Sequence, residues 1–149
     1  MPIKYVHTNI ISANWTQLAQ FYIDVFGCQP APPARDQSGE WLSRGTGVKD
    51  AALQGIHLHL PGYGDEGPTL EIYQYNHMED KPEPTANRKG FGHIAFQVED
   101  VGAVFEKVIA YGGKAIGEVV TRVVEGVGII TFVYVADPEG NLIELQRWG

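Results

Sequence analysis

Apolar and polar positions alternate with period two over residues 3 to 11, and from Trp15 to Phe26 the apolar positions recur at helical spacing instead. The switch predicts a strand followed by a helix, with Asn14 as the N-cap and Gly27 as the stop. The same switch returns later in the chain. Residues 90 to 98 alternate, Asp100 offers a cap, a helix runs to about Tyr111, and Gly112-Gly113 ends it. Counted from His7 and His93, the cap lies seven residues on and a glycine twenty on in both halves, a spacing that indicates duplication.

After the first helix the pattern lapses into an irregular stretch carrying Pro30, Pro32 and Pro33, followed by two strands at about 52 to 60 and 68 to 76. The second half predicts strands at about 118 to 124, 128 to 136 and 141 to 147, set apart by turn signals at Glu125-Gly126 and Asp137-Pro138-Glu139-Gly140. Each half therefore reads as βαβββ. The expected fold is α+β, a single domain over residues 1 to 149 built from modules of about 1 to 76 and 90 to 149. Residues 77 to 89, polar and carrying Pro82 and Pro84, form the expected linker.

Strand parity shows which side chains share a face. Ile94, Phe96 and Val98 would pack beneath the helix, which leaves His93, Ala95 and Gln97 on the opposite side. The same alternation sets Leu70 and Ile72 against Glu71, Tyr73 and Tyr75, and Ile143 and Leu145 against Glu144 and Gln146. Val6 and Ile10 oppose His7 and Asn9 less cleanly, because Thr8 and Ile11 blur the pattern. Two histidine/glutamate pairs thus recur in one duplicated unit, on a polar sheet face, and duplication could bring them to one divalent cation.

Composition narrows the setting. The chain has 149 residues, 44% of them hydrophobic and 19% charged, a globular profile of a size that can bury a substantial core. No apolar run is long enough to span a membrane, and the N-terminus lacks a secretory pattern, so a cytoplasmic location is expected. The one cysteine, Cys28, has no internal disulfide partner and is expected to be a buried apolar residue. A net charge of −7, without a basic stripe, argues against nucleic acid. No GxGxxG or Walker pattern supports a nucleotide.

In these residues the chain resembles the vicinal oxygen chelate superfamily (glyoxalase, bleomycin resistance and extradiol dioxygenase proteins), and within it the lactoylglutathione lyases, or glyoxalase I. The resemblance is carried by residues 5 to 29, with Phe21-Tyr22-Ile23-Asp24-Val25-Phe26-Gly27, and by 69 to 76, 89 to 101 and 136 to 146. It implies paired βαβββ modules forming a cleft. It also implies one divalent ion held by His7, Glu71, His93 and Glu144, with Glu144 as the base and Glu71 as ligand and partner base. Lys89-Gly90-Phe91-Gly92-His93 resembles the glyoxalase segment with lysine in place of arginine. Three features depart from that family: Ile11-Ser12 where an arginine grips glutathione, Asn76 displaced by one with Tyr75 in its place, and Val123, Val124 and Val127 where lysines precede the final turn. A homodimer is expected, by analogy with relatives and from the exposed strand edges.

A mixed imidazole and carboxylate set suits Zn²⁺ or Ni²⁺ first, and also Co²⁺, Mn²⁺ or Fe²⁺. With the resemblance, this points to a metal-dependent lyase or isomerase of the glyoxalase type. It would stabilise an enediolate drawn from a thiol–2-oxoaldehyde adduct or a related α-hydroxycarbonyl compound. Alternatives are a coenzyme A epimerase of the methylmalonyl type, an Fe²⁺ extradiol dioxygenase, or a metal-free drug-binding resistance protein. Glutamine usually stands where this chain has Glu71 in the first, and in the second a fourth anionic ligand would crowd the oxygen site. Lys89, Tyr73, Asn76, His57 and His59 are candidates for substrate contact. His57 and His59, two apart on one strand face, are also rivals as ligands.

Overall fold

The computed structural model describes residues 2 to 149, which form three helices and two sheets. The chain divides into two compact units, the first ending at Asp80 and the second beginning at Lys81.

In the first unit, β1 (His7–Ile11) leads into α1 (Trp15–Phe26), β2 (Gln29–Ser38), α2 (Glu40–Thr46), β3 (Ala52–His59) and β4 (Thr69–Tyr75). The sheet order is β1-β4-β3-β2, with β1 parallel to β4 and the remaining pairs antiparallel. Asn14 caps α1 by accepting from the Gln17 backbone N–H, and Gly27 closes it with φ +73°, a left-handed geometry that glycine adopts without a Cβ clash. Leu18, Phe21, Tyr22 and Val25 of α1 are buried, as are Leu58, Leu70 and Ile72 of the sheet it packs over. This core occupies one face of β3 and β4 and leaves the other free for Glu71 and its neighbours.

The second unit repeats the plan with β5 (Ile94–Gln97), α3 (Val101–Ala110), β6 (Lys114–Ala115), β7 (Val120–Val124), β8 (Gly128–Ala136) and β9 (Leu142–Trp148). Its order is β5-β9-β8-β6, with β7 also paired to β8, and β5 is parallel to β9 as β1 is to β4. Asp100 caps α3 through the Ala103 N–H, and Val101 and Val108 are buried with Val133, Val135, Ile143 and Leu145 of the sheet beneath.

Three expectations need correction. The proline stretch is not irregular: it is strand β2. It lies at the sheet edge and pairs with β3, with a register shift between Ala31 and Arg35 that takes up Pro32 and Pro33, which have no N–H to donate. Helix α2 was not foreseen. It forms because Leu42 finds a pocket with Ala51 and Leu53, and Trp41 Nε1 bonds the Ser38 carbonyl. The third concerns spacing: the distance from histidine to glutamate is thirteen residues longer in the first half (His7 to Glu71) than in the second (His93 to Glu144), and the loop between 30 and 50, where the sequence places that excess, does not hold all of it. His57 lies thirty residues past Gly27 while its counterpart Tyr134 lies twenty-one past Gly113; Glu71 lies fourteen past His57, and Glu144 ten past Tyr134. Nine of the extra residues therefore accompany α2, and four lengthen the β3–β4 connection, which contains a 3₁₀ turn at Gly64–Glu66.

Candidate metal centre

Glu71 sits in mid-β4 with a neighbour on either side: Asn9 of β1 stands opposite it in the parallel pair and His57 of β3 opposite it in the antiparallel pair. Glu71 is buried, at 7% exposure, and side chains from β1 and β3 converge on its carboxylate. Asn9 Nδ2 donates to Oε1 at 2.8 Å, His57 Nε2 lies 2.8 Å from Oε2, and His7 Nε2 lies 3.4 Å from Oε1. His57 is itself held from behind, its Nδ1 bonded to Thr69 Oγ1 at 2.9 Å. The His7 and His57 rings meet edge-on, with centroids 5.5 Å apart. Ligand atoms from His7, His57 and Glu71 all fall within 4.8 Å of one another.

The second module repeats the central pair at the same register. Glu144 faces Ala95 of β5 and Tyr134 of β8, as Glu71 faces Asn9 and His57. His93, just ahead of β5, brings Nε2 to 3.1 Å from Glu144 Oε1. Gln146 donates to Glu144 Oε2 at 3.2 Å, and Trp148 Nε1 donates in turn to Gln146 Oε1 at 2.8 Å. The three side chains alternate along one face of β9 and hand a line of hydrogen bonds to His93. The Tyr134 ring lies against His93, centroids 4.5 Å apart.

Burial acts on two titratable groups beside Glu71, His57 and Tyr73. It is the largest influence on His57 and lowers its pKa, partly offset by the Glu71 charge, so the ring favours the neutral form that a metal needs. Tyr73 is pushed up to about 12, by burial first and then by hydrogen bonding to Glu71, and stays a phenol with its OH 3.4 Å from His57 Nε2. Gly55 makes that reach achievable. A Cβ there would run into the Ile72 carbonyl and the Tyr73 ring, which lies across it.

The other candidates separate. His59 shares the face of His57, and its Nδ1 is buried with no hydrogen-bond partner among the described residues. Asn76 acts as a brace: it accepts from the Ala52 N–H and donates to the Asp50 carbonyl, which ties the start of β3 to the end of β4. Lys89 is exposed in the segment ahead of β5. Three site neighbours escaped the sequence reading, namely Thr69, Asn9 as a partner of Glu71, and Tyr134. Pairing β3 with β4 and β8 with β9 as hairpins would have placed His57 and Tyr134 opposite the two glutamates.

A family model described as "Glyoxalase/Bleomycin resistance protein/Dioxygenase superfamily" matches residues 4–145. The chain belongs to this superfamily. It is 30% identical over 140 residues to a probable lactoylglutathione lyase of Synechocystis sp., covering 94% of this chain and 92% of the relative. A second probable lactoylglutathione lyase, from Vibrio parahaemolyticus, is 28% identical over 144 residues, 95% of this chain and 88% of the relative. Among solved structures, a glyoxalase family protein from Bacillus cereus superposes with a TM-score of 0.76 at 21% identity, covering 98% of this chain and 93% of that one. The superfamily's vicinal oxygen chelate fold is thus the fold of this chain. No helix among the described residues is long and apolar enough to cross a membrane.

Proposed function

We propose that this protein is a divalent-metal-dependent lyase or isomerase of the glyoxalase type, with His7, Glu71, His93 and Glu144 as ligands and Glu144 as the base. The observation that carries the reading is the repeat of one juxtaposition: a histidine Nε2 within 3.4 Å of a strand glutamate in each module, at the same strand register. The donor set fits a borderline cation such as Zn²⁺, Ni²⁺ or Co²⁺, whose affinity for mixed nitrogen and oxygen ligands is high. The names of the two lyase relatives add support for the reaction class.

Such a cation, when bound, supplies charge stabilisation for two neighbouring oxygens of a substrate. Glu144 takes the proton from the carbon that bears the thiol and hydroxyl of a thiol–2-oxoaldehyde adduct, and returns it to the adjacent carbonyl carbon. The C–H bond broken at one carbon is thereby made at the next, the hydroxyl proton of the first carbon passes to the former carbonyl oxygen of the second, and the product is a 2-hydroxy thioester with no net oxidation. Gln146, steadied by Trp148, holds Glu144 Oε2 and leaves the carboxylate one orientation for both transfers. Glu71, buried and fixed by Asn9, serves as ligand and as a second proton carrier.

Methylglyoxal incubated with a panel of small thiols, glutathione and coenzyme A among them, is expected to yield a thioester that chelator treatment abolishes. Glu144→Gln should slow turnover by about 10²–10⁴-fold, the usual share of a positioned base. Absence of thioester with every thiol would overturn the reading. A homodimer forms part of the same proposal, and the apolar side chains left exposed just ahead of each histidine support it, Ile3, Tyr5 and Val6 in one module and Phe91 in the other.

A further inference from the structure

We infer that His57 is a metal ligand, joining His7 and Glu71 as the ligands that the first module supplies to a divalent transition-metal ion. The inference shares His7 and Glu71 with the reading above and departs from it by adding a third ligand from β3. Metal bonds of about 2.0–2.2 Å place neighbouring ligand atoms roughly 3 Å apart. Here Glu71 Oε2 and His57 Nε2 are 2.8 Å apart and Glu71 Oε1 and His7 Nε2 are 3.4 Å apart, so only small side-chain rotations separate the cluster from a ligand shell.

The surroundings are those of a built site. Metal-binding imidazoles characteristically engage the second ring nitrogen in a hydrogen bond that fixes tautomer and orientation. Thr69 does this for His57 Nδ1, which leaves Nε2 facing the cluster, and Asn9 does the equivalent for Glu71. A buried carboxylate held between two imidazoles gives a cation an anionic ligand and two nitrogen ligands in one place. The second module is the internal control. At the places of His57 and Asn9 it carries Tyr134 and Ala95, so the same fold without the additional imidazole and amide offers one histidine and one glutamate. Two imidazoles and one carboxylate, with remaining positions open, suit Fe²⁺, Co²⁺, Ni²⁺ or Zn²⁺.

Co²⁺ titration of the stripped full-length protein, followed by its visible absorbance, tests this independently of turnover. His57→Ala is expected to weaken Co²⁺ binding more than about 100-fold, beyond the 10–100-fold typical of losing a supporting partner. Thr69→Val keeps the ring and removes only its support, and should weaken binding by about 10–100-fold even if His57→Ala does not fold. Unchanged affinity in His57→Ala, or in Thr69→Val, would overturn the inference and leave the four-ligand reading standing. A parent protein that binds no Co²⁺ would end both.

Discussion

Cys28 closes the first turn after α1, is 1% exposed, and has its thiol pushed up to about 11 by burial. Its folded pKa exceeds the ordinary value of 9.0, so the protein binds this proton more tightly folded than unfolded. The associated stability is complete below pH 9.0 and is lost as pH rises toward about 11, a loss of about 2–3 kcal/mol over the window. Urea midpoints measured from pH 8 to 11 should fall less steeply in Cys28→Ala than in the parent; parallel curves would count against a buried thiol. The sequence reading reached this residue because a lone cysteine after a helix stop has few other roles. It reached His7, Glu71, His93 and Glu144 for a different reason, that each is embedded in a phrase the chain repeats. His57 has no such repeat. Its role depends on standing opposite Glu71 across a hairpin, and that register follows from the length of a connection whose turn geometry the sequence does not reveal.

At the scale of elements, both capped helices were legible because their start and stop signals are local: α1 runs Trp15–Phe26 between Asn14 and Gly27 as the pattern predicts. Strand β2 and helix α2 were not, because each is decided by a tertiary partner. Three prolines are compatible with a strand only at an edge, and α2, with Gly45 near its end, holds together because Leu42 has Ala51 and Leu53 to pack against. The β3–β4 pair has a similar hidden dependence in Gly55. With no room for a Cβ beside the Ile72 backbone, Gly55→Ala must part the two strands at the position that lets Tyr73 reach His57. Overpacking of this kind costs about 1–3 kcal/mol, and the variant should lose at least that in chemical denaturation. Alanine tolerated without loss would mean the strands can separate freely there.

Over the whole molecule, the duplicated plan gives each module a helix-covered face and a polar face, and only the polar faces carry histidine beside glutamate. Under the proposed metal binding, part of the stability resides in an ion that the unfolded chain cannot hold, since residues 7, 57 and 71 are then scattered. Binding confined to the native state adds about 2.7 kcal/mol at a metal concentration 100 times the dissociation constant. At about 2–4 °C per kcal/mol for a chain of this size, saturating Zn²⁺, Ni²⁺ or Co²⁺ should raise the thermal midpoint by roughly 5–10 °C. A chelator should reverse the shift, and re-addition should restore it. Mg²⁺ should give a much smaller shift, because it favours oxygen ligands and dehydrates reluctantly. Equal shifts with Mg²⁺ and Co²⁺ would indicate carboxylates binding alone, and no shift with any ion would leave the inward-facing imidazoles of the first module as a purely protein network.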